Sequence, residues 1–318
     1  MTQNVSVILK LEGGLGNQLF EFAAGFYLAS KLGTGLVLDQ YAIPLTTVHG
    51  ESQCEIEQFE IPFLWNGQKI EISQSLPSAW CSYLAKQSKL IKRILIKYRM
   101  FRSNPQKLRL FVEQNNVQCT QEFLDLNSSV KLHGNFQSWK IVDLACRYGF
   151  PMVLQLKHQP QWIDELKTQI DFKKSVAIHL RLGDDTKANS NFRQPNLDYY
   201  FRALEILEAK RNLHQVFILS DDIDRAREMI EASSFKISAN YLEMPVQSSP
   251  AERLYLLSLF GGIVCANSTF CGWAAWSIHN SGGDVVVPVP YSDGEVLGSR
   301  DFPQTWIQLD KYSGRLIG

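Results

Sequence analysis

The 318-residue chain has no net charge, no CxxC pair and no uninterrupted apolar run long enough to cross a bilayer. Each absence excludes something. Thirty-two Lys plus Arg balance 32 Asp plus Glu, so nothing pulls the chain as a whole toward nucleic acid, and a charged ligand must be held locally. The six cysteines (Cys54, Cys81, Cys119, Cys146, Cys265 and Cys271) are scattered, which argues against a zinc ribbon or a disulfide framework and suits a reducing cytosol. The N-terminus lacks the basic start of a signal peptide, and a glycine-rich turn follows its short apolar run at once. No formal charge falls between Arg253 and Asp284, but Gly261, Gly262, Asn267, Ser268, Thr269, Gly272, His279 and Asn280 interrupt that stretch. Helix, buried strand and second helix are expected there, not a membrane span. A composition of 45% hydrophobic and 20% charged residues excludes extended disorder, and a cytoplasmic globular protein is expected.

What is there alternates strand with helix. A strand over 5–11 ends in Gly13-Gly14-Leu15-Gly16, and Leu19, Phe22, Ala23, Phe26, Tyr27 and Ala29 mark a helix to about Leu32. A short strand at 36–38 follows, then a middle region of weak pattern, then a strand and turn over 132–139. A second series begins near residue 174. Strands are expected at 176–180, 215–219, 263–266 and 285–287, with helices at 197–211, 223–232, 250–259 and 270–278. Two such runs, joined near residues 155–170, predict an α/β protein of two Rossmann-like, doubly wound domains facing each other, 1–160 and 161–318. A ligand site is then expected between them, beyond the C-terminal ends of the strands.

Four strand-to-helix turns carry the candidate chemistry. In Glu12-Gly13-Gly14-Leu15-Gly16-Asn17-Gln18, glycines admit a ligand to the backbone and the helix start favours an anion. Read as G-x-G-x-x-G from Gly14, the third glycine falls on Leu19, so a dinucleotide fingerprint fails; a plain turn is the competing reading. In the second turn, strand alternation aims His179 and Arg181 together while Leu180 and Leu182 face the core. A cation beside an imidazole suits a diphosphate, with Gly183 giving backbone access. The competing reading pairs Arg181 with Asp184 or Asp185. In Ser220-Asp221-Asp222, Ser220 or Asp221 is expected to cap the next helix, leaving the other to accept from a base or ribose. In Asn267-Ser268-Thr269-Phe270, hydroxyls and free helix N–H groups form a phosphate cradle, with Trp273, Ala274 and Trp276 behind it as core.

In order and spacing, LEGGLGNQLFEFAAGFYLA, HLRLGD, LSDD and CANSTFCGWAAW, together with GNFQSWK at Gly134–Lys140, resemble the α1,2-fucosyltransferases of glycosyltransferase family eleven. The blocks span residues 11–290 around a divergent middle. The resemblance implies a GT-B architecture, GDP-β-L-fucose as donor, a galactose-terminated glycan as acceptor, inversion at the anomeric carbon, and no cofactor or metal. It places the donor on Gly14, Gly16, His179, Arg181, Ser220, Asp221, Asp222, Asn267, Ser268, Thr269 and Phe270. Arg181 and Asn17 are then the catalytic candidates, with Asp184 as base or as orienter of Arg181. Two departures stand out: Leu182 occupies the place of a second arginine, and Cys271-Gly272 replaces Ser-Trp.

The acceptor hydroxyl must lose a proton, and Glu12, Asp39, Asp184 and Asp185 are the available carboxylates. The segment 86–109 carries nine cations and no acid. It reads as an amphipathic helix packed on the first domain or, more sharply, as a contact for an anionic membrane bearing a lipid-linked acceptor. Two rival readings of the whole remain: fucosyl transfer to a protein or core glycan, and a GDP-sugar-binding protein without turnover.

Overall fold

The structure is a computed structural model that describes residues 5–43, 54–60, 67, 70–73, 88–102, 108–114, 118–183, 193–210, 215–233, 238–296 and 300–317. Contacts divide the chain into two units. One comprises Met1–Glu57, Ile61–Pro151 and Arg300–Phe302; the other comprises Gln58–Glu60, Met152–Ser299 and Pro303–Gly318. No helix among the described residues is long and apolar enough to cross a membrane.

The first unit is built on a five-stranded parallel sheet. Its strands are β1 (Val5–Lys10), β2 (Gly35–Asp39), β3 (Ile70–Ile72), β4 (Arg109–Val112) and β5 (Val130–His133), in the order β3-β2-β1-β5-β4. Central β1 is apolar almost without a break, as a strand covered on both faces must be. Helix α1 (Leu15–Leu32) is buried along nearly its whole length. A Cβ on its Gly25 would come within 2.9 Å of Leu9 and 3.0 Å of Leu36, so this glycine sets how closely α1 lies on the sheet. Gly33 ends the helix in the left-handed conformation (φ 65°), its N–H reaching back to Ala29 and Ser30. Helices α2 (Lys89–Arg102), α3 (Gln121–Leu124) and α4 (Trp139–Cys146) are the other described α-helices of this unit.

The second unit carries six parallel strands: β6 (Ser175–Leu180), β7 (Gln215–Ser220), β8 (Ala239–Tyr241), β9 (Gly262–Val264), β10 (Asp284–Val289) and β11 (Ile307–Asp310). Their order is β11-β10-β9-β6-β7-β8. Around them lie α5 (Gln161–Gln169), α6 (Leu197–Lys210), α7 (Ile223–Glu231), α8 (Pro250–Ser258) and α9 (Thr269–Asn280). Val176, Ile178, Leu180, Val264 and Val286 pack against Tyr199, Leu204 and Leu207 of α6. The buried Tyr199 hydroxyl donates to the carbonyls of Cys265 (2.8 Å) and Val286 (3.2 Å), which satisfies it inside the core.

Two parallel α/β sheets are thus present. The stretch expected to join them, near 155–170, contains α5 and belongs to the second unit, and the units part at Pro151. The edge strands β3, β4, β8 and β11 are additional to the strands expected from the sequence. They are three or four residues long, too short to show a period.

Candidate active site

At the C-terminal edge of the first sheet, β1 runs into the glycine-rich turn. The conformational demand falls on Gly13 (φ 72°), where a Cβ would sit 2.8 Å from the Asn17 amide nitrogen. Gly14 is the N-cap of α1; its carbonyl accepts from the N–H groups of Asn17 (3.0 Å) and Gln18 (3.1 Å), and it has no side chain to cover the helix start. Asn17 and the expected GNFQ element do meet, because the Gln137 side-chain amide donates to Asn17 Oδ1 at 3.0 Å. Arg300, from the late segment that belongs to this unit, donates to the other end of Gln137 at 3.5 Å.

A cluster of ionisable groups lies behind this turn. The buried Lys10 ammonium is 2.6 Å from Glu12 Oε2 and 2.7 Å from His133 Nε2. Burial and the neighbouring Lys10 charge push His133 below its ordinary value, so the ring is neutral and accepts from Lys10. Glu21 Oε2 accepts from the Glu12 N–H at 2.9 Å. Complete burial, with the Glu12 charge beside it, drives the Glu21 carboxyl well above the usual range. Glu113 is pushed up to about 7 by burial, against the backbone N–H groups it accepts from; that of Phe136 lies at 2.8 Å. It props up the Gly134–Gln137 turn: a Cβ on Gly134 would collide with Glu113, and Phe136 is held at φ 49°, a left-handed conformation unusual for an aromatic residue. Of the carboxylates weighed as bases, Asp39 is 3% exposed, 3.7 Å from the buried Lys131 ammonium, and accepts from Tyr41 N–H. Glu12 is partly exposed and held by Lys10. Asp184 and Asp185 lie outside the described residues.

The second sheet presents the other three turns along its own C-terminal edge. β6 ends at Leu180, so half-buried Arg181 lies one residue past the strand, while Leu180 and Leu182 are buried as alternation requires. The Leu182 backbone is gripped from both sides. Its N–H donates to Asp221 Oδ1 at 2.7 Å, and its carbonyl accepts from the Arg225 guanidinium at 2.6 Å. Asp221 therefore fastens the loop that carries Arg181, and Gly183 is needed because a Cβ there would be 2.6 Å from Asp221 Oδ2. The expected capping by Ser220 or Asp221 is corrected: Asp222 is the N-cap of α7, accepting from Arg225 N–H at 3.1 Å, and the Ser220 hydroxyl accepts from Asp222 N–H. The smallest local loop that closes a helix start uses the residue next to the helix, and that is Asp222.

In the fourth turn the Asn267 amide donates to the carbonyls of Arg193 (3.0 Å) and Tyr291 (3.1 Å), which pins the loop. Ser268 is the N-cap of α9 but makes no side-chain cap, so the first N–H groups of that helix are not covered by its hydroxyl. Phe270 stacks on His179 with ring centres 6.1 Å apart and planes at 30°, bringing the second and fourth turns together. Cys271 is fully buried beside His179, and Trp273 and Ala274 are core as expected. Among the described residues no group of three or more His, Cys, Asp or Glu side chains is gathered as a metal ion would need.

Lys10, Glu21, Glu113, His133 and Arg300 were not singled out from the sequence. Two had a local signal: Lys10 ends the apolar run Val7-Ile8-Leu9, and Glu21 is a lone carboxylate in the apolar run LFEFAA. Glu113, His133 and Arg300 gain their places only through strand order and a distant segment.

Residues 5–310 match the family model described as Glycosyl transferase family 11. An Escherichia coli protein named Alpha-1,2-colitosyltransferase is 23% identical over 320 residues, covering 96% of this chain and 99% of its own length. The O-antigen biosynthesis glycosyltransferase WbnK, also from Escherichia coli, is 24% identical, covering 84% of this chain and 88% of its own. Among solved structures, fucosyltransferase NodZ from Bradyrhizobium aligns with a TM-score of 0.47 at 15% identity, covering 84% of this chain and 91% of that one.

Proposed function

The chain belongs to glycosyl transferase family 11, and from that premise we propose that it moves L-fucose from GDP-β-L-fucose to the 2-hydroxyl of a terminal galactose on a bacterial surface glycan, with inversion and without a metal. The observation that carries the reading is the edge of the second sheet. There the start of α9, left uncapped by Ser268, lies with Phe270 against His179, one residue from the loop in which Asp221 holds Arg181's neighbour Leu182.

Breaking the C1–O bond leaves positive charge on the sugar ring and an extra negative charge on the diphosphate. A helix N-terminus, and a guanidinium carried on a loop that Asp221 fastens, meet that charge with little reorganisation. In this reading Arg181 and the α9 N–H groups neutralise the departing GDP, Ser268 and Thr269 hold its phosphates, and Gly14, Gly16 and Asn17 serve the sugar side. The acceptor's proton goes to a carboxylate, and of the described candidates Glu12 is the one that is partly exposed, with the Lys10 ammonium 2.6 Å from it.

The relative named for α-1,2 colitosyl transfer favours a second reading of the donor, with the linkage kept and the sugar changed. One assay separates the possibilities: incubation with GDP-fucose or GDP-colitose, a panel of galactosides, and EDTA, with the product's linkage and anomeric form read by NMR. The expected product is α1,2-fucosyl galactoside at an undiminished rate in EDTA. Arg181→Ala should lower kcat by ~10²–10³ in a folded protein. GDP binding with no product from any acceptor would leave a nucleotide-sugar-binding protein and overturn the reading.

A further inference from the structure

Helix α2 was expected either to bury its apolar face on the first unit or to offer it elsewhere, and the structure divides that face in two. Ile91, Leu95 and Ile96 are half-buried, and the helix rests on the turn Gln40–Ala42 that leaves β2. Leu90, Ile94 and Tyr98 are exposed by 68%, 56% and 58%. At 100° per residue these three fall within an arc of about 80°, and the exposed Arg93 and Lys97 lie beside it within a further 60° or so. The helix bears six Lys or Arg and no Asp or Glu, in a chain whose net charge is zero.

We propose that this face of α2 docks on an anionic lipid bilayer. An apolar strip with cations along its flank is the arrangement that lies in a bilayer interface, side chains entering the acyl boundary while the cations meet anionic headgroups. A second copy of the chain fits less well. In a two-fold contact the patch meets itself, which sets Arg93 and Lys97 near their own copies, and three apolar side chains fall far short of the roughly 800 Å² per partner of a stable interface. The turn under α2 continues from Asp39 at the C-terminal edge of the first sheet, so docking brings that edge close to the membrane. The proposal stands apart from the identity of the sugar transferred.

The test is co-sedimentation of the full chain with phosphatidylcholine vesicles and with vesicles containing about 30% phosphatidylglycerol, at low and high salt. Binding is expected only to the anionic vesicles and is expected to fall at high salt. At about five-fold per cation, R93E/K97E should weaken partitioning by at least about 30-fold, and L90S/I94S should also abolish sedimentation. Both variants should keep the wild-type circular dichroism and the rate on a soluble acceptor. Absence of wild-type binding to anionic vesicles at low salt overturns the proposal, and so does sedimentation of both variants like wild type. A dimer in light scattering that L90S/I94S dissociates, without vesicle binding, assigns the face to self-contact instead.

Discussion

Several side chains in the strand-to-helix turns hold loops through hydrogen bonds to the backbone. Asp221, Asp222 and Asn267 hold loops, by the hydrogen bonds to Leu182 N–H, to Arg225 N–H and to the carbonyls of Arg193 and Tyr291. In the first unit the same task falls to Glu113, whose carboxyl is raised from the ordinary 4.5 to about 7 by burial. A carboxyl with a raised value favours its protonated form in the fold. Its contribution is therefore most favourable below pH 4.5 and is lost as pH climbs through 7. Glu113→Gln keeps an acceptor for the Phe136 N–H and removes the charge. It should leave stability at pH 5 nearly unchanged and raise it at pH 8 by up to about 3 kcal/mol, measured by urea unfolding at both values. Equal effects at the two pH values would mean that Glu113 is ionised at no cost, contrary to its burial.

Elements are positioned by residues far away in the chain, and α4 is the clearest case. Ser138 caps it by accepting from Ile141 N–H at 3.3 Å. Beyond that, the Asp301 carboxylate accepts from the Ser138 hydroxyl, from Trp139 N–H at 2.8 Å and from Lys140 N–H at 3.2 Å. A carboxylate at a helix start satisfies orphan donors and opposes the helix dipole. Asp301→Ala should cost about 2 kcal/mol, read as a fall in urea midpoint, while Asp301→Asn should recover part of it. Because α4 begins two residues after Gln137, the partner of Asn17, the same substitution should also disturb the turn at the end of β1. Much of this level was readable beforehand. α1, α6, α7, α8 and α9 carry 3.6-residue periods or strong caps, such as the Ser249–Glu252 capping box of α8. The short edge strands were not readable, since three or four residues look alike in a strand, a loop or a helix end.

The chain forms two α/β units, each with a parallel sheet and each including a short segment from the other's stretch of sequence: Arg300–Phe302 joins the first and Gln58–Glu60 the second. In the proposed reading the nucleotide binds the second unit, so ligand linkage predicts an asymmetric response to heat. GDP at about 100 times its Kd should stabilise the unit containing β6–β11 by about 2.7 kcal/mol, with or without EDTA. The effect should vanish in Arg181→Ala. Calorimetry with and without nucleotide checks this, and an unchanged profile in wild type would remove the nucleotide from the second sheet's edge.

Local chemistry in the sequence determined the alternation of strands and helices, the glycine at the turn after β1, the cation one residue past β6 and the hydroxyl turn before α9. These follow from backbone conformation and side-chain periodicity within a few residues. Only the tertiary structure decided who meets whom across the chain. Lys10 reaches His133 over 123 positions, Gln137 reaches Asn17 over 120, and Asp301 reaches Trp139 over 162. The reason is physical: parallel strands pair only through crossovers, so neighbours in a sheet are set by strand order, which no local period encodes.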